Sequence, residues 1–262
     1  MALDRHDTHL VRSRPAMNTA DAMGRWQEST SDLAERSAYK KVWDRQAKEL
    51  DVAMLAVAGR AGEAMDEDTL SLQAKESIDT LRSTVGIGPH DVILEIGCGI
   101  ARVGKPLSGQ CLHWFGADIS GRMLSHAARR LEGRPNTTLV ELATVGLQEF
   151  PGDAFDLVYC TIVFMHLFEW DRYRYVEEAF RVLRPGGHAY FDNFPLDTQH
   201  GWQVFKESAG YPLGRRPAHL SMSSTREELR TYLAKAGFED VRVHDLPSGL
   251  IAATGQKPAG VP

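Results

Sequence analysis

The sequence predicts an α/β fold, a doubly wound sheet of mostly parallel strands, and three observations carry that expectation. Val92 to Ile96, Leu112 to Ala117 and Phe155 to Cys160 are short apolar runs of the kind that a parallel sheet buries. The first closes on glycines at Gly97 and Gly99, which let the backbone turn sharply. Further on, Pro185-Gly186-Gly187 stops a helical stretch and turns it into another apolar run, His188 to Asp192.

Taken in chain order, residues 1–30 show no sustained period and read as disordered. Residues 31–85 read as a helical segment. Over Asp32 to Val57 the apolar positions, among them Leu33, Tyr39, Val42, Trp43, Leu50 and Met54, fall on one face, with Ser31 or Asp32 as cap and Gly59 to Gly62 as breaker. A second helix is expected from Asp66 to Val85. Residues 86–257 hold the sheet. After the glycine turn, Ile100 to Leu107 can open a helix whose first amides point at whatever fills the turn. Ser120 stands where a cap is expected before Met123, Leu124 and Ala127. Strands are expected at Leu139 to Leu142 and, near the end, at Phe238 to His244 and Leu250 to Thr254, with a helix over Arg226 to Ala236.

The glycine turn alone leaves three readings open: an S-adenosylmethionine site, a dinucleotide site, or an ordinary strand-to-helix turn. Spacing argues against the dinucleotide, because Arg102 stands where the third glycine of a Gly-x-Gly-x-x-Gly fingerprint belongs. Asp118, about twenty residues beyond the first glycine, is placed to accept hydrogen bonds from both hydroxyls of a ribose.

Glu95-x-Gly97-x-Gly99, Asp118, Phe155-Asp156-x-Val158 and Leu183-Arg184-Pro185-Gly186-Gly187 follow one another in a specific order. In that order and approximate spacing the chain resembles the class I S-adenosylmethionine-dependent methyltransferases, particularly their small-molecule branch, from about Asp79 to Lys257. The resemblance implies a Rossmann-like seven-stranded sheet whose last strand runs antiparallel, with residues 31–85 as a helical lid and 86–257 as the domain that binds S-adenosylmethionine and releases S-adenosylhomocysteine. It implies that Glu95 lies near the methionine amino group, that Gly97, Cys98 and Gly99 wrap the methionyl and ribose portions, and that Ile119 and Met123 flank the adenine. Cys160 joins the cofactor contacts on the same ground.

Two departures from the family pattern stand out. No acid follows the Leu139 to Leu142 strand, so Ala143 or Thr144 is left to meet the adenine through backbone or hydroxyl. Ala101 replaces a glycine, and Arg102 is open to pairing with Glu95, to holding the cofactor carboxylate, or to being a solvated helix-face side chain.

The acceptor is expected to meet Tyr39 and Trp43 on the lid, for which plain packing is the alternative. The long segment 194–224, with Trp202, Tyr211 and Arg215, is the other candidate wall, since loops of that length in a compact domain are commonly functional. His166 sits just past the C-terminal end of the Phe155 to Cys160 strand, where open parallel sheets bind ligands. Three roles are open to it: catalytic base, cofactor or acceptor contact, and structural cap.

Composition narrows the setting. With 262 residues, 43% of them apolar, the chain can enclose one sizeable core. No run approaches the ~18 apolar residues of a spanning helix, and no signal peptide is read at the N-terminus. Three scattered cysteines suit a reducing cytoplasm and imply no metal site. A net charge of -5 argues against a dedicated nucleic-acid binder. The leading expectation is a cytoplasmic methyltransferase acting at oxygen, nitrogen or carbon of a small molecule, with a secondary metabolite among the options. An NAD-type oxidoreductase and a non-catalytic nucleoside-binding partner subunit are the alternatives, and the oligomeric state is not legible.

Overall fold

The computed structural model describes residues 30–58, 66–212, 217 and 220–260. The expected disordered N-terminus lies outside these residues, apart from the start of a helix at Thr30, and so does Arg215. Arg36–Pro262 forms one compact unit.

Among the described residues seven strands make one sheet in the order β3-β2-β1-β4-β5-β7-β6. They are β1 (Val92–Ile96), β2 (His113–Asp118), β3 (Thr137–Glu141), β4 (Phe155–Cys160), β5 (Leu183–Asn193), β6 (Glu239–Asp245) and β7 (Ile251–Gln256). The first five run parallel, and β7 is antiparallel to both β5 and β6, as the family resemblance implies. The order reverses between β2 and β4 on either side of β1, and at such a switch point the loops leaving the strand ends diverge to make a crevice.

Strand parity sorts the core into two layers. Leu94, Ile96, Val158, Cys160, Ala189 and Phe191 face one way, toward the helices α6 (Glu169–Val182) and α8 (Arg226–Ala236). Ile93, Leu157, Tyr159 and Tyr190 face the other, with Trp114, toward α3 (Glu67–Thr84), α4 (Gly104–Leu107) and α5 (Gly121–Arg130). Glu95 and Asp192 share this second parity, so both carboxylates point into the α3 side near the C-terminal edge of the sheet.

Local chemistry sets the ends of several elements. Asp66 accepts the Thr69 amide and opens α3, and Ser120 accepts the Met123 amide and opens α5. Asp156, the acid in the Phe155-Asp156 motif, accepts the Val92 amide at 2.7 Å and pairs with Arg184, tying the starts of β1, β4 and β5 together.

The structure departs from the sequence expectation in three places. The single helix expected over Asp32 to Val57 is two, α1 (Thr30–Gln46) and α2 (Leu50–Ala58), because the Ala47 carbonyl turns out of the helix to His126 at 3.0 Å. The strand expected at Leu139 to Leu142 starts earlier, at Thr137, where β2 supplies a parallel partner. Segment 194–224 is not all loop: Thr198 caps α7 (Gln199–Ser208), a turn of chemistry that the aromatic content of the segment conceals.

Candidate active site

A cavity with about 850 Å³ of empty space, mouth included, lies at the C-terminal ends of β1, β2 and β4. The elbow after β1 forms one wall. Gly97 has φ +69° and Gly99 φ +53°, and a Cβ at Gly97 would overlap the Val163 side chain, so a side chain there would be both strained and obstructed. The Gly97 and Cys98 amides donate to the Ala117 carbonyl at 2.8 and 3.0 Å, which draws the elbow against the end of β2.

Asp118 stands at that end. One oxygen accepts the Gly99 amide and the other the Ser120 amide, both at 2.8 Å, so each keeps a lone pair for a further donor. Burial lifts its carboxyl to about 6 in spite of these amides. Glu95, 3% exposed, accepts the Tyr159 hydroxyl at 2.5 Å, and Tyr159 in turn accepts the Trp114 indole at 3.3 Å. Burial raises Glu95 to about 8, opposed by the Tyr159 hydrogen bond and the charge of Arg102. Arg102, 6% exposed, donates to the Ser77 hydroxyl at 3.2 Å, and burial lowers its pKa. It is thus no solvated helix-face arginine.

The cavity roof is α1. Tyr39 donates to Asp171 at 3.1 Å and accepts the Phe168 amide at 3.2 Å, while Asp44 accepts the Ser120 hydroxyl at 2.7 Å. The helix therefore spans the cavity from the start of α6 to the start of α5. Trp43 meets the His166 ring edge-on, 4.9 Å between centroids.

A second, open groove adjoins the first. Trp43, Ala56, Arg102, Thr161, Ile162 and His166 line both. Beyond this shared wall the groove runs along α3 through Gln73, Glu76 and Thr80, past the end of β5 at Asp192, and under the β6–β7 connection at Leu246 and Pro247. Glu76, Asp79, Asp192 and Asp245 line it against Arg102 as the one lysine or arginine among the described residues. Asp79 pairs with Lys75 and Arg82, and Asp245 with Arg226, which leaves Glu76 and Asp192 to set the charge of its floor.

Of the residues singled out in the sequence, Glu95, Gly97, Cys98, Gly99, Arg102, Asp118, Ile119, Met123, Tyr39, Trp43 and His166 line the first cavity. Others are not brought there. Cys160 is fully buried in the core layer of Val158 and does not line the cavity. The Ala143 amide is taken by Glu149 at 2.8 Å, and the neighbouring Leu142 and Val145 line the cavity instead of Ala143 and Thr144. Trp202 and Tyr211 lie exposed outside both cavities, Trp202 stacked on Phe205 along α7. Sequence reasoning missed Ile162, whose φ of +59° is a strained backbone for a β-branched residue, of order 1–3 kcal/mol. It also missed Asp192 and the polar face of α3. The acid ending a β5-like run was a signal for the first, whereas no spacing marks the second.

Among the described residues no helix is long and apolar enough to cross a membrane. The family described as "Methyltransferase domain" matches residues 94–191. Sarcosine/dimethylglycine N-methyltransferase of Halorhodospira halochloris is 26% identical over 188 residues, which are 69% of this chain and 63% of that protein. Demethylmenaquinone methyltransferase of Clavibacter sepedonicus is 27% identical over 212 residues, 74% of this chain and 85% of that one. In fold, the chain is similar to Haemonchus contortus phosphoethanolamine N-methyltransferase 1, solved with phosphoethanolamine and S-adenosylhomocysteine, at a TM-score of 0.62 and 17% identity, over 91% of this chain and 51% of that one. The chain thus spans less than two thirds of the first and third of these proteins.

Proposed function

We propose that this chain, whose residues 94–191 match the family described as "Methyltransferase domain", is a class I S-adenosylmethionine-dependent methyltransferase that transfers a methyl group from S-adenosylmethionine to an amine nitrogen of a small organic molecule. One observation carries the reading: a glycine elbow with two buried carboxylates lies on one side of the Thr161–Ile162–His166 wall, and a groove with an acidic floor on the other.

The residues present fit an adenosyl sulfonium. Asp118 has an accepting lone pair on each oxygen for the ribose hydroxyls, and Glu95 offers a carboxylate to the methionine ammonium. Ile119, Met123, Leu142 and Val145 give apolar cover for the adenine, so the missing acid after β3 is replaced by packing. When bound, the sulfonium supplies an already activated methyl for in-line displacement. The protein then has to align the nucleophile and keep water out, and α1, held at both ends by Tyr39 and Asp44, serves that exclusion.

An amine suits the remaining side chains. Burial raises the pKa values of Tyr39, Tyr175 and Cys98, so these groups of the first cavity stay protonated and supply no phenolate or thiolate base for a hydroxyl or carbon acid. A neutral amine brings its own lone pair and needs a weak base to take its proton after or during transfer. His166, on both cavities, has that chemistry. An amine in its ammonium form is also drawn to Glu76 and Asp192. We place the reaction in the cytoplasm, in keeping with three free cysteines.

The test is methyl transfer from labelled S-adenosylmethionine to matched panels of amines, alcohols and activated carbon acids, after mass spectrometry for copurified S-adenosylhomocysteine. Label on amines and retention of that nucleoside are expected. Label on alcohols alone would overturn the amine assignment, and binding of neither nucleoside would overturn the whole reading.

A further inference from the structure

Ile162 adopts its left-handed backbone at the wall that the cofactor cavity and the groove share. A strained residue persists only where its surroundings fix it, and what fixes this one is a carboxylate on the next strand. β4 and β5 run parallel with Cys160 opposite Phe191, so Asp192 stands level with Thr161, the first residue beyond β4. Asp192 accepts the Ile162 amide at 2.7 Å on one oxygen, and on the other the Thr161 hydroxyl at 2.5 Å and the Tyr190 hydroxyl at 3.3 Å. At 1% exposure these three donors stand in for the water that its charge would otherwise bind.

We propose that Asp192 is a positioning residue for methyl transfer: by clamping Thr161 and Ile162 in their strained conformation, it fixes the wall across which donor and acceptor meet. The chain that follows carries the consequence. Val163 occupies the space that a side chain on Gly97 would need, and His166, four residues after Ile162, lines both cavities. Without the clamp Ile162 relaxes toward negative φ, and Val163 and His166 move with it. The elbow and Asp118 stand on β1 and β2 and keep their own hydrogen bonds. Loss of the clamp therefore reaches turnover and spares cofactor affinity.

The turnover arm of the test rests on the methyl-transfer reading, and the backbone arm does not. In the full chain, Asp192→Ala should speed hydrogen exchange at the Ile162 amide by at least about tenfold, and Asp192→Asn, which keeps an accepting oxygen, should hold it within about threefold of the parent. With the best acceptor found, Asp192→Ala should lower kcat by about 10- to 100-fold while the S-adenosylmethionine Kd stays within about threefold. Adding Ile162→Gly should recover at least about fivefold of that loss, since glycine takes the left-handed backbone unaided; a side chain that merely stabilised the fold or bound the acceptor would gain nothing from it. Unchanged exchange in Asp192→Ala, equal losses in kcat and cofactor affinity, or no recovery in the double variant would each overturn the clamp. A parent chain that methylates nothing would sink the methyl-transfer reading, and amide exchange would then decide the clamp alone.

Discussion

The two sides of the Thr161–Ile162 wall are built on different plans. On the cofactor side, Gly97, Cys98, Gly99 and Asp118 are fixed by hydrogen bonds among neighbours on β1 and β2, and the charged groups are almost wholly buried. On the acceptor side the walls come from α1, α2, α3, β5 and the β6–β7 connection, elements far apart in sequence, and the groove is open and polar. A ligand that never changes can be held by a short motif that carries its own scaffold. One that differs between relatives is met by side chains borrowed from elements whose primary duty is packing.

Variants can break or sharpen this contrast. The largest expected effect is on the acceptor side: His166→Ala should lower kcat by about 100-fold or more, as loss of a proton acceptor does, with S-adenosylmethionine affinity unchanged within about threefold. Equal turnover at saturating acceptor would remove His166 from the chemistry. On the cofactor side the pattern inverts, and Asp118→Ala should weaken S-adenosylmethionine by roughly 1–3 kcal/mol in a calorimetric titration, the cost of orphaned charge-assisted hydrogen bonds. A titration with the parent's affinity would show that the ribose lies elsewhere.

The pH dependence should also separate the two sides. Burial raises both cofactor-side carboxyls, Asp118 to about 6 and Glu95 to about 8, and each is needed as the carboxylate. Affinity for S-adenosylmethionine should therefore decline as pH falls through about 8, where Glu95 takes its proton, and decline further below about 6, by up to about tenfold per pH unit for each group. In Asp118→Asn the lower step should vanish while the upper persists. The smallest effect concerns Ala101, fully buried with φ +59° where the family favours glycine. Ala101→Gly should raise stability to urea by up to about 1 kcal/mol, strain relief set against glycine's greater chain entropy.

Much of this was legible in the residues. The Val92–Ile96 run, the two glycines and the acid at Asp118 describe neighbours in space through neighbours in sequence, and the family resemblance carried by four motifs in order implied the antiparallel final strand. Trp202 and Tyr211 show the opposite case. Aromatic content marked segment 194–224 as a binding wall, but the Thr198 cap folds it into a helix that carries Trp202 to the surface. Ala143 and Thr144 failed to reach the cavity for a similar reason, one hydrogen bond to Glu149 that no local pattern announces.

The sequence by itself determined the parallel strands and the glycine elbow that follows the first of them, because runs of buried residues and glycine's access to positive φ are properties of consecutive residues. Only the tertiary structure decided which side chains line the open groove, that Asp192 would hold Ile162 in a conformation its own chemistry resists, and that Arg102 would lie buried between two cavities. Those outcomes depend on which strand lies beside which and on what each helix leaves uncovered, and both are settled by packing across the chain rather than along it.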